Sequence, residues 1–137
     1  MSSEPQRPAR RYPLGEHHAD EIVSRTGRAP GELTLDAVRA GAVGHDDLTI
    51  HPETLRAQAD LAEGAGFPQL AANLRRAAEL ALIPQEKVLA VYEALRPYRL
   101  GYEQLCALAE ELERDYGAEE NAALVREAAA VYRERGL

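Results

Sequence analysis

Four side chains near the N-terminus are of types that bind metal ions: His17, His18, Asp20 and Glu21. On a helix, His17 and Glu21 would share one face four residues apart, a spacing that can hold a metal. The segment lacks the two-histidine HExxH pattern, however, and no other cluster in the sequence supplies further ligands. A small metal-dependent enzyme is therefore one hypothesis, and a polar helix start without a metal is the other.

The remaining reactive side chains do not form a recognisable catalytic arrangement. Cys106 lies beside Leu105 and Leu108 on a helical pattern, which indicates a small core side chain, because buried cysteine behaves as an apolar residue. His45 and His51 are not near a plausible nucleophile, and the glycines follow neither common phosphate-loop pattern. The sequence therefore predicts no catalytic, cofactor-binding or metal-binding residue on this chain.

Arginines and tyrosines gather around the centre of the second half, and they are the more informative group. A planar guanidinium suits bidentate pairing with a carboxylate across a protein interface. Tyrosine and arginine are also enriched in the residues that dominate binding energy. The pattern predicts a subunit interface, with a solvated helix surface as the alternative. The candidate residues are Arg75, Arg76, Tyr92, Arg96, Tyr98, Arg99 and Tyr102.

Two helices joined at a proline are predicted to position these side chains. The residue before a proline is pushed away from helical geometry, so the first helix should end near Ile83. Pro84 suits the first turn of the second helix, and Pro97 should end that helix. The apolar stripe of the second helix consists of Val88, Val91, Tyr92 and Leu95.

The chain as a whole predicts an all-α fold, a compact helical bundle with an extended N-terminal arm and short helices. Residues 51–137 are predicted to form the bundle, because apolar residues recur three and four apart and no segment alternates with period two. Residues 1–50 are predicted to be an arm, wrapping a neighbour or partly disordered. Short helices are expected over Glu16–Ser24 and over Leu35–Ala40, with Leu48 and Ile50 as apolar anchors.

The positions of prolines and glycines and the spacing of apolar residues predict further helix boundaries. Helices should open at Pro52 and Pro68, and Gly117 should separate the last two. The inward face of the last helix, about 118–134, is predicted to contain Leu124, Ala128, Val131 and Tyr132.

Composition limits the classes of function. The formal charge of −7 argues against nucleic-acid binding, because phosphate recognition normally needs a basic face. No apolar run approaches the roughly 20 residues of a membrane span, and the first residues lack a secretory signal. The single cysteine excludes an internal disulfide. These features predict a soluble cytoplasmic protein. Because its core consists mostly of small side chains, the protein is expected to gain stability by binding a partner.

The order and spacing of several segments resemble one known family. AAEL, then IP, then a helix ending in ALRPYR, within residues 77–99, resemble the small (gamma) subunit of adenosylcobalamin-dependent diol and glycerol dehydratases. The resemblance continues in both directions and covers about residues 12–135. The other matching segments are YPL (12–14), LTLDAVRAGAV (33–43), TIHPETLRAQADLAEGAG (49–66), LCALAEELERDY (105–116) and AALVREAAAVYRER (122–135).

The resemblance implies a dimer of heterotrimers, in which a large (alpha) barrel subunit holds the substrate. Adenosylcobalamin is then bound between the large and medium (beta) partner subunits, and not by this chain. The complex would convert a 1,2-diol or glycerol to an aldehyde by a radical mechanism. The small subunit would stabilise the large one and carry no catalytic residue.

A question of location and a rival function remain beside this interpretation, in addition to the metal-dependent enzyme considered above. MSSEPQRPARR shows no apolar periodicity, whereas some relatives carry an amphipathic extension that directs the complex into a bacterial microcompartment. Encapsulation through this subunit is therefore not supported. The rival function is a free-standing helical adaptor or regulator, which should be stable alone. The preferred diol is left open, because the substrate pocket would lie on another chain.

Overall fold

The computed structural model describes residues 10–137, which form seven α-helices and no β-strand. The helices are α1 (Leu14–His17), α2 (Leu35–Arg39), α3 (Pro52–Gly64), α4 (Pro68–Leu80), α5 (Gln85–Ala94), α6 (Tyr102–Tyr116) and α7 (Glu119–Arg135). The prediction of an all-α fold is confirmed. Residues 1–9, the start of the predicted arm, fall outside the described residues.

Several helix boundaries follow from local side-chain chemistry, as the sequence predicted. The Thr34 hydroxyl accepts a hydrogen bond from the Ala37 backbone N–H at 3.2 Å and caps α2. Pro52 is the first residue of α3, where its missing N–H costs nothing. Gly117 ends α6 in the left-handed conformation, with φ of 61°. This conformation favours glycine because it has no Cβ.

Two boundaries differ from the predicted ones. The helix predicted over Glu16–Ser24 is wrong: α1 ends at His17, and a separate 3₁₀ turn spans Ala19–Glu21. His18 ends the helix, since its φ of −141° and ψ of 35° are not helical. Pro84 stands immediately before α5 as its N-cap, rather than inside the first turn.

Two predicted apolar contacts are also wrong. Leu48 and Ile50 are 57% and 43% exposed, and the buried anchor of that region is Val43. On α7 the buried face is shifted by one position, because Val125 is buried whereas Leu124 is 39% exposed. Both errors arise because several apolar residues stand close together, and helical periodicity alone does not decide which one points inward.

Two compact units divide the described chain, one extending to Ala71 and the other spanning Ala72–Leu137. The second unit has a continuous core to which α5, α6 and α7 contribute. Its buried members are Ile83, Val91, Leu105, Ala109, Leu112, Ala118, Ala122, Val125 and Ala129. The many alanines let helices approach closely, but each adds little hydrophobic free energy. The predicted division between residues 50 and 51 stays a prediction.

The first unit buries fewer large apolar side chains. Its buried apolar residues are Leu14, Val43, Ala57, Ala59 and Ala71. Only Leu14 and Val43 among them are larger than alanine. Within residues 10–137, no helix is both long and apolar enough to cross a membrane.

Candidate subunit interface

Helix α5 is apolar on two faces, and only one of them is covered by this chain's own core. Val91 is buried, and Val88 and Leu95 are partly buried against the same core. On the other face, Leu89 is 60% and Tyr92 is 63% exposed. An exposed apolar pair that includes an aromatic ring makes the outer face of α5 suited to contact with another protein.

The end of α5 carries a cluster of charges beside this face. The Glu93 carboxylate lies 3.1 Å from the Arg96 guanidinium and 3.1 Å from that of Arg99. A guanidinium has five N–H donors, so both arginines retain donors for other partners. Exposed pairs of this kind contribute only about 0–1 kcal/mol to stability. Glu93 therefore orients the two arginines more than it stabilises the fold.

Tyr98 is the most prominent side chain of the turn that follows. It is 77% exposed, and its φ is +65°, the only positive value at a non-glycine residue among residues 10–137. A non-glycine residue in this region costs on the order of 1 kcal/mol or more. The turn, in which the Arg99 N–H donates to the Arg96 carbonyl at 3.2 Å, thus displays an aromatic ring to solvent.

The other three predicted interface residues lie on neighbouring helices. Arg75 is half-buried on α4, and the Arg76 side chain donates to the side-chain oxygen of Asn73. Tyr102 begins α6, and the Arg133 guanidinium lies 3.9 Å from its ring centre. The structure thus groups Tyr92, Arg96, Tyr98 and Arg99 in one segment. Whether any of the seven residues contacts a partner stays a prediction.

Comparison with known proteins identifies the relatives of this chain. Residues 8–137 match the dehydratase small subunit family. The propanediol dehydratase small subunit of Citrobacter freundii is 45% identical over 124 residues, covering 90% of this chain and 72% of that relative. The same values hold for the propanediol dehydratase small subunit of Salmonella typhimurium.

The chain belongs to the dehydratase small subunit family.

Membership of this family confirms the resemblance drawn from the segments between residues 12 and 135. A dehydratase small subunit is by definition part of a dehydratase complex, so the chain has partner subunits. The alternative of a free-standing adaptor is not favoured.

Two of the four side chains considered as metal ligands, His18 and Glu21, contact each other and the residues that precede α1. His18 Nδ1 lies 2.9 Å from Glu21 Oε1, and Arg10 Nε lies 3.0 Å from Glu21 Oε2. The Arg11 backbone N–H donates to His18 Nε2 at 2.9 Å. Hydrogen bonds from Arg10 and then His18 lower the pKa of Glu21. These contacts fasten residues 10 and 11 to the 3₁₀ turn.

The predicted metal geometry is therefore not formed. His17 ends α1 while Glu21 lies in the next turn, so the two do not share a helix face. Across residues 10–137, no group of three or more His, Cys, Asp or Glu side chains is arranged to hold a metal ion.

A contact between α4 and α7 was not predicted from the sequence. The Glu79 carboxylate accepts hydrogen bonds from the backbone N–H groups of Glu120 and Asn121, at 2.8 and 2.9 Å. The Asn121 side-chain amide donates to Glu79 at 2.6 Å and to the Arg76 carbonyl at 3.1 Å. Ala118 precedes α7 and offers no capping side chain. Glu79 therefore caps α7 from a different helix.

Asp47 is a second organising carboxylate that sequence reasoning missed. It accepts hydrogen bonds from the Gly44 N–H at 2.8 Å, the Thr26 hydroxyl at 2.6 Å and Arg28 Nε at 3.0 Å. The HDD sequence at 45–47 suggested only a turn, and the Gly44 bond agrees with that. The partners at positions 26 and 28 are about 20 residues away, where one sequence gives no signal of proximity.

Proposed function

We propose that this chain is the non-catalytic small (gamma) subunit of an adenosylcobalamin-dependent diol dehydratase, which converts 1,2-propanediol or glycerol to an aldehyde. The observation that carries the proposal is the 45% identity, over 90% of this chain, to two propanediol dehydratase small subunits. The relatives' names favour propanediol, whereas glycerol enters only through the family resemblance.

The partners of this chain are a large (alpha) and a medium (beta) subunit, in a cytoplasmic dimer of heterotrimers. The outer face of α5 and the turn at Tyr98 are the surface by which this chain binds the large subunit. Two features of the described residues support this assignment: the exposed apolar pair Leu89 and Tyr92, and the two arginines that Glu93 orients. Arginine and tyrosine around an apolar centre are the composition of binding hot spots.

Adenosylcobalamin is bound by the partner subunits, and the lining of two cavities among the described residues is consistent with this part of the proposal. A cavity lined by residues that include Leu14, His18 and Thr54 has a volume of about 50 Å³. Sites for drug-sized ligands occupy about 300–1,000 Å³, and a corrin cofactor is larger than such ligands. A more open cavity beside α7 is lined by Glu79, Glu119 and Glu120, whose carboxylates offer no apolar bed for a corrin ring.

The experiment that tests this function is purification of the tagged chain from its native cell extract. The eluate is assayed for aldehyde formation from 1,2-propanediol and from glycerol, with and without added adenosylcobalamin. We expect two larger chains to co-purify with cofactor-dependent activity. A monomeric, well-folded chain without companions would contradict the proposal.

A second experiment separates a structural role from a catalytic one. The large and medium subunits are expressed with and without this chain, and the soluble yield and the activity per large subunit are measured. We expect its omission to lower the soluble yield and the thermal stability of the large subunit. Equal yield, stability and activity would show that this chain has no such structural role.

A further inference from the structure

Residues 24–50, called here the closed loop, begin and end at the same place. Ser24 and Ile50 form an isolated antiparallel bridge, and the Arg25 N–H donates to the Thr49 carbonyl at 2.9 Å. Ser24 is buried, with 8% of its surface exposed. The two ends of this long connection are thus fixed together by backbone hydrogen bonds.

Polar side chains hold the interior of the closed loop in one conformation. Asp47 joins the segment at Thr26 and Arg28 to the segment at Gly44. Arg28 also donates from Nη2 to the Ala42 carbonyl at 2.7 Å. A guanidinium shared between a carboxylate and a carbonyl fixes the geometry of both segments. The closed loop is therefore ordered by polar contacts rather than by an apolar core.

Helix α2 lies within the closed loop and buries none of its residues. Leu35 is 75% and Val38 is 44% exposed. Three residues apart on a helix, they share one face. Val43, just after the helix, is buried and anchors the loop on the unit to which it belongs. Among residues 10–137, the closed loop thus holds a capped helix on which Leu35 is mostly exposed and Val38 is about half exposed.

We propose that the closed loop is a preformed docking element, which inserts Leu35 and Val38 into an apolar groove on another subunit of the dehydratase complex. This inference rests on the proposed function, because it takes the partner to be a subunit of that complex. It adds a second set of contact residues, different from the seven predicted between Arg75 and Tyr102. Because Asp47 and Arg28 already hold the closed loop in one conformation, less conformational entropy is lost when it binds.

Size and composition argue against two other partners for the face that carries Leu35 and Val38. Residues 1–9, MSSEPQRPA, contain one large apolar side chain, Met1, and could cover little of the face. A second copy docking through the same face would bury two large side chains from each protomer. A stable dimer needs about 800 Å² from each partner, several times what two such side chains provide. The face is therefore large enough only for one part of a larger interface. A subunit of a heteromeric complex forms interfaces of that larger kind.

The test is to replace both apolar residues, as Leu35→Ser together with Val38→Ser, in the full-length chain. Binding to co-expressed large and medium subunits is measured by titration. We expect affinity to fall at least about tenfold, because two buried aliphatic side chains are lost from the interface. Both residues are exposed in the free chain, so its helicity and thermal unfolding should be unchanged.

The matched control is Asp36→Ser together with Arg39→Ser, on the same helix. These two side chains pair with each other and are mostly exposed. We expect this variant to bind within about twofold of the unmodified chain, since an exposed pair contributes little. A second variant, Asp47→Asn, leaves Leu35 and Val38 in place but weakens the closed loop. It should bind more weakly than the unmodified chain and more tightly than the double serine variant.

The outcomes separate this inference from the proposed function. If the unmodified chain binds the partner subunits and the double serine variant binds equally well, the docking role of Leu35 and Val38 is overturned. If Asp47→Asn binds as tightly as the unmodified chain, preorganisation is overturned. If the double serine variant abolishes self-association but not complex formation, the partner is a second copy. If the unmodified chain does not bind, the proposed function itself fails.

Discussion

Two carboxylates, Glu79 and Asp47, do more to organise this chain than any residue with obvious chemical reactivity. Each accepts hydrogen bonds from side-chain donors that are remote in sequence, and Glu79 also accepts them from two remote backbone N–H groups. Glu79 supplies at the start of α7 the acceptor that an N-cap serine or aspartate normally supplies. The negative charge is also favourable there, at the positive end of the helix dipole.

The hydrogen bonds of Glu79 predict that replacing this residue with alanine destabilises the fold. Glu79→Ala removes the acceptor for two backbone N–H groups and for the Asn121 amide, which is nearly buried. We expect the free energy of unfolding to fall by about 1–3 kcal/mol, the cost of losing a cap together with charged hydrogen bonds. Urea unfolding followed by circular dichroism measures this change.

The control for Glu79 is Glu127→Gln, which removes a carboxylate from an exposed position of α7. It should change the free energy of unfolding by less than about 0.5 kcal/mol. An equal effect of both variants would mean that general charge, rather than the cap, explains the loss.

The hydrogen bonds of Asp47 predict that the stability of the closed loop depends on pH. The Gly44 N–H, then Thr26 and Arg28, lower the pKa of Asp47 below its ordinary value. Because the folded-state pKa is the lower one, the contribution of Asp47 is fully present above the unfolded pKa of about 3.9. It is lost as the pH falls through the folded-state pKa. We therefore expect the amides of the closed loop to exchange faster as the pH falls below about 4, after correction for intrinsic exchange rates.

The control for this pH dependence is Asp47→Asn, which cannot titrate. Its closed loop should exchange quickly at neutral pH and show little further change on acidification. If the unmodified chain and this variant had the same pH profile, another group would be responsible.

At the scale of elements, α5 connects the core of its unit with the surface proposed to bind the large subunit. Its inner residues Val88 and Val91 contact the core, whereas Leu89 and Tyr92 lie on the outer side. Each substitution on this helix can therefore be assigned to the fold or to the interface by the face on which it lies.

The two arginines after α5 test that assignment. Arg96→Ala with Arg99→Ala should weaken assembly with the large and medium subunits by at least about tenfold, if both guanidinium groups pair with the partner. The helicity of the free chain should be nearly unchanged, since both side chains are exposed and form surface pairs with Glu93. Titration and circular dichroism measure the two effects. Equal loss of helicity and assembly would indicate a role in the fold instead.

At the scale of the whole molecule, the large buried side chains are distributed unevenly. The largest fully buried ones, Leu105, Leu112 and Val125, all lie in the unit from Ala72 to Leu137. Fully burying such a side chain contributes about 1.5–3 kcal/mol, whereas ordering the backbone of each residue costs about 1–2 kcal/mol. The other unit, with Leu14 and Val43 as its large buried residues, has less to offset that cost.

Native-state hydrogen exchange of the free chain should show this difference. We expect amides in α6 and α7 to exchange at least about tenfold more slowly than those in the closed loop, because opening the larger core costs more free energy. In the assembled complex the closed loop should become protected, as the proposed docking requires. Equal protection of both regions in the free chain would contradict the expectation.

Local chemistry determined the parts of this structure that the sequence could predict. Prolines and glycines set the starts of α3 and α4 and the end of α6, and Thr34 capped α2, because these effects act within a few residues. Leu105 and Leu112, seven residues apart on α6, are both fully buried, as helical periodicity places them on one face. The order of the segments along the chain also sufficed to recognise the family.

Tertiary structure alone decided the rest, because it depends on contacts between residues far apart in sequence. Asp47 meets Arg28 across 19 positions, and Glu79 meets Asn121 across 42. It also decided that Val125 rather than Leu124 faces the core, and that Leu35 remains uncovered. A helical pattern limits which residues can share a face, but only the neighbouring elements determine which face becomes buried.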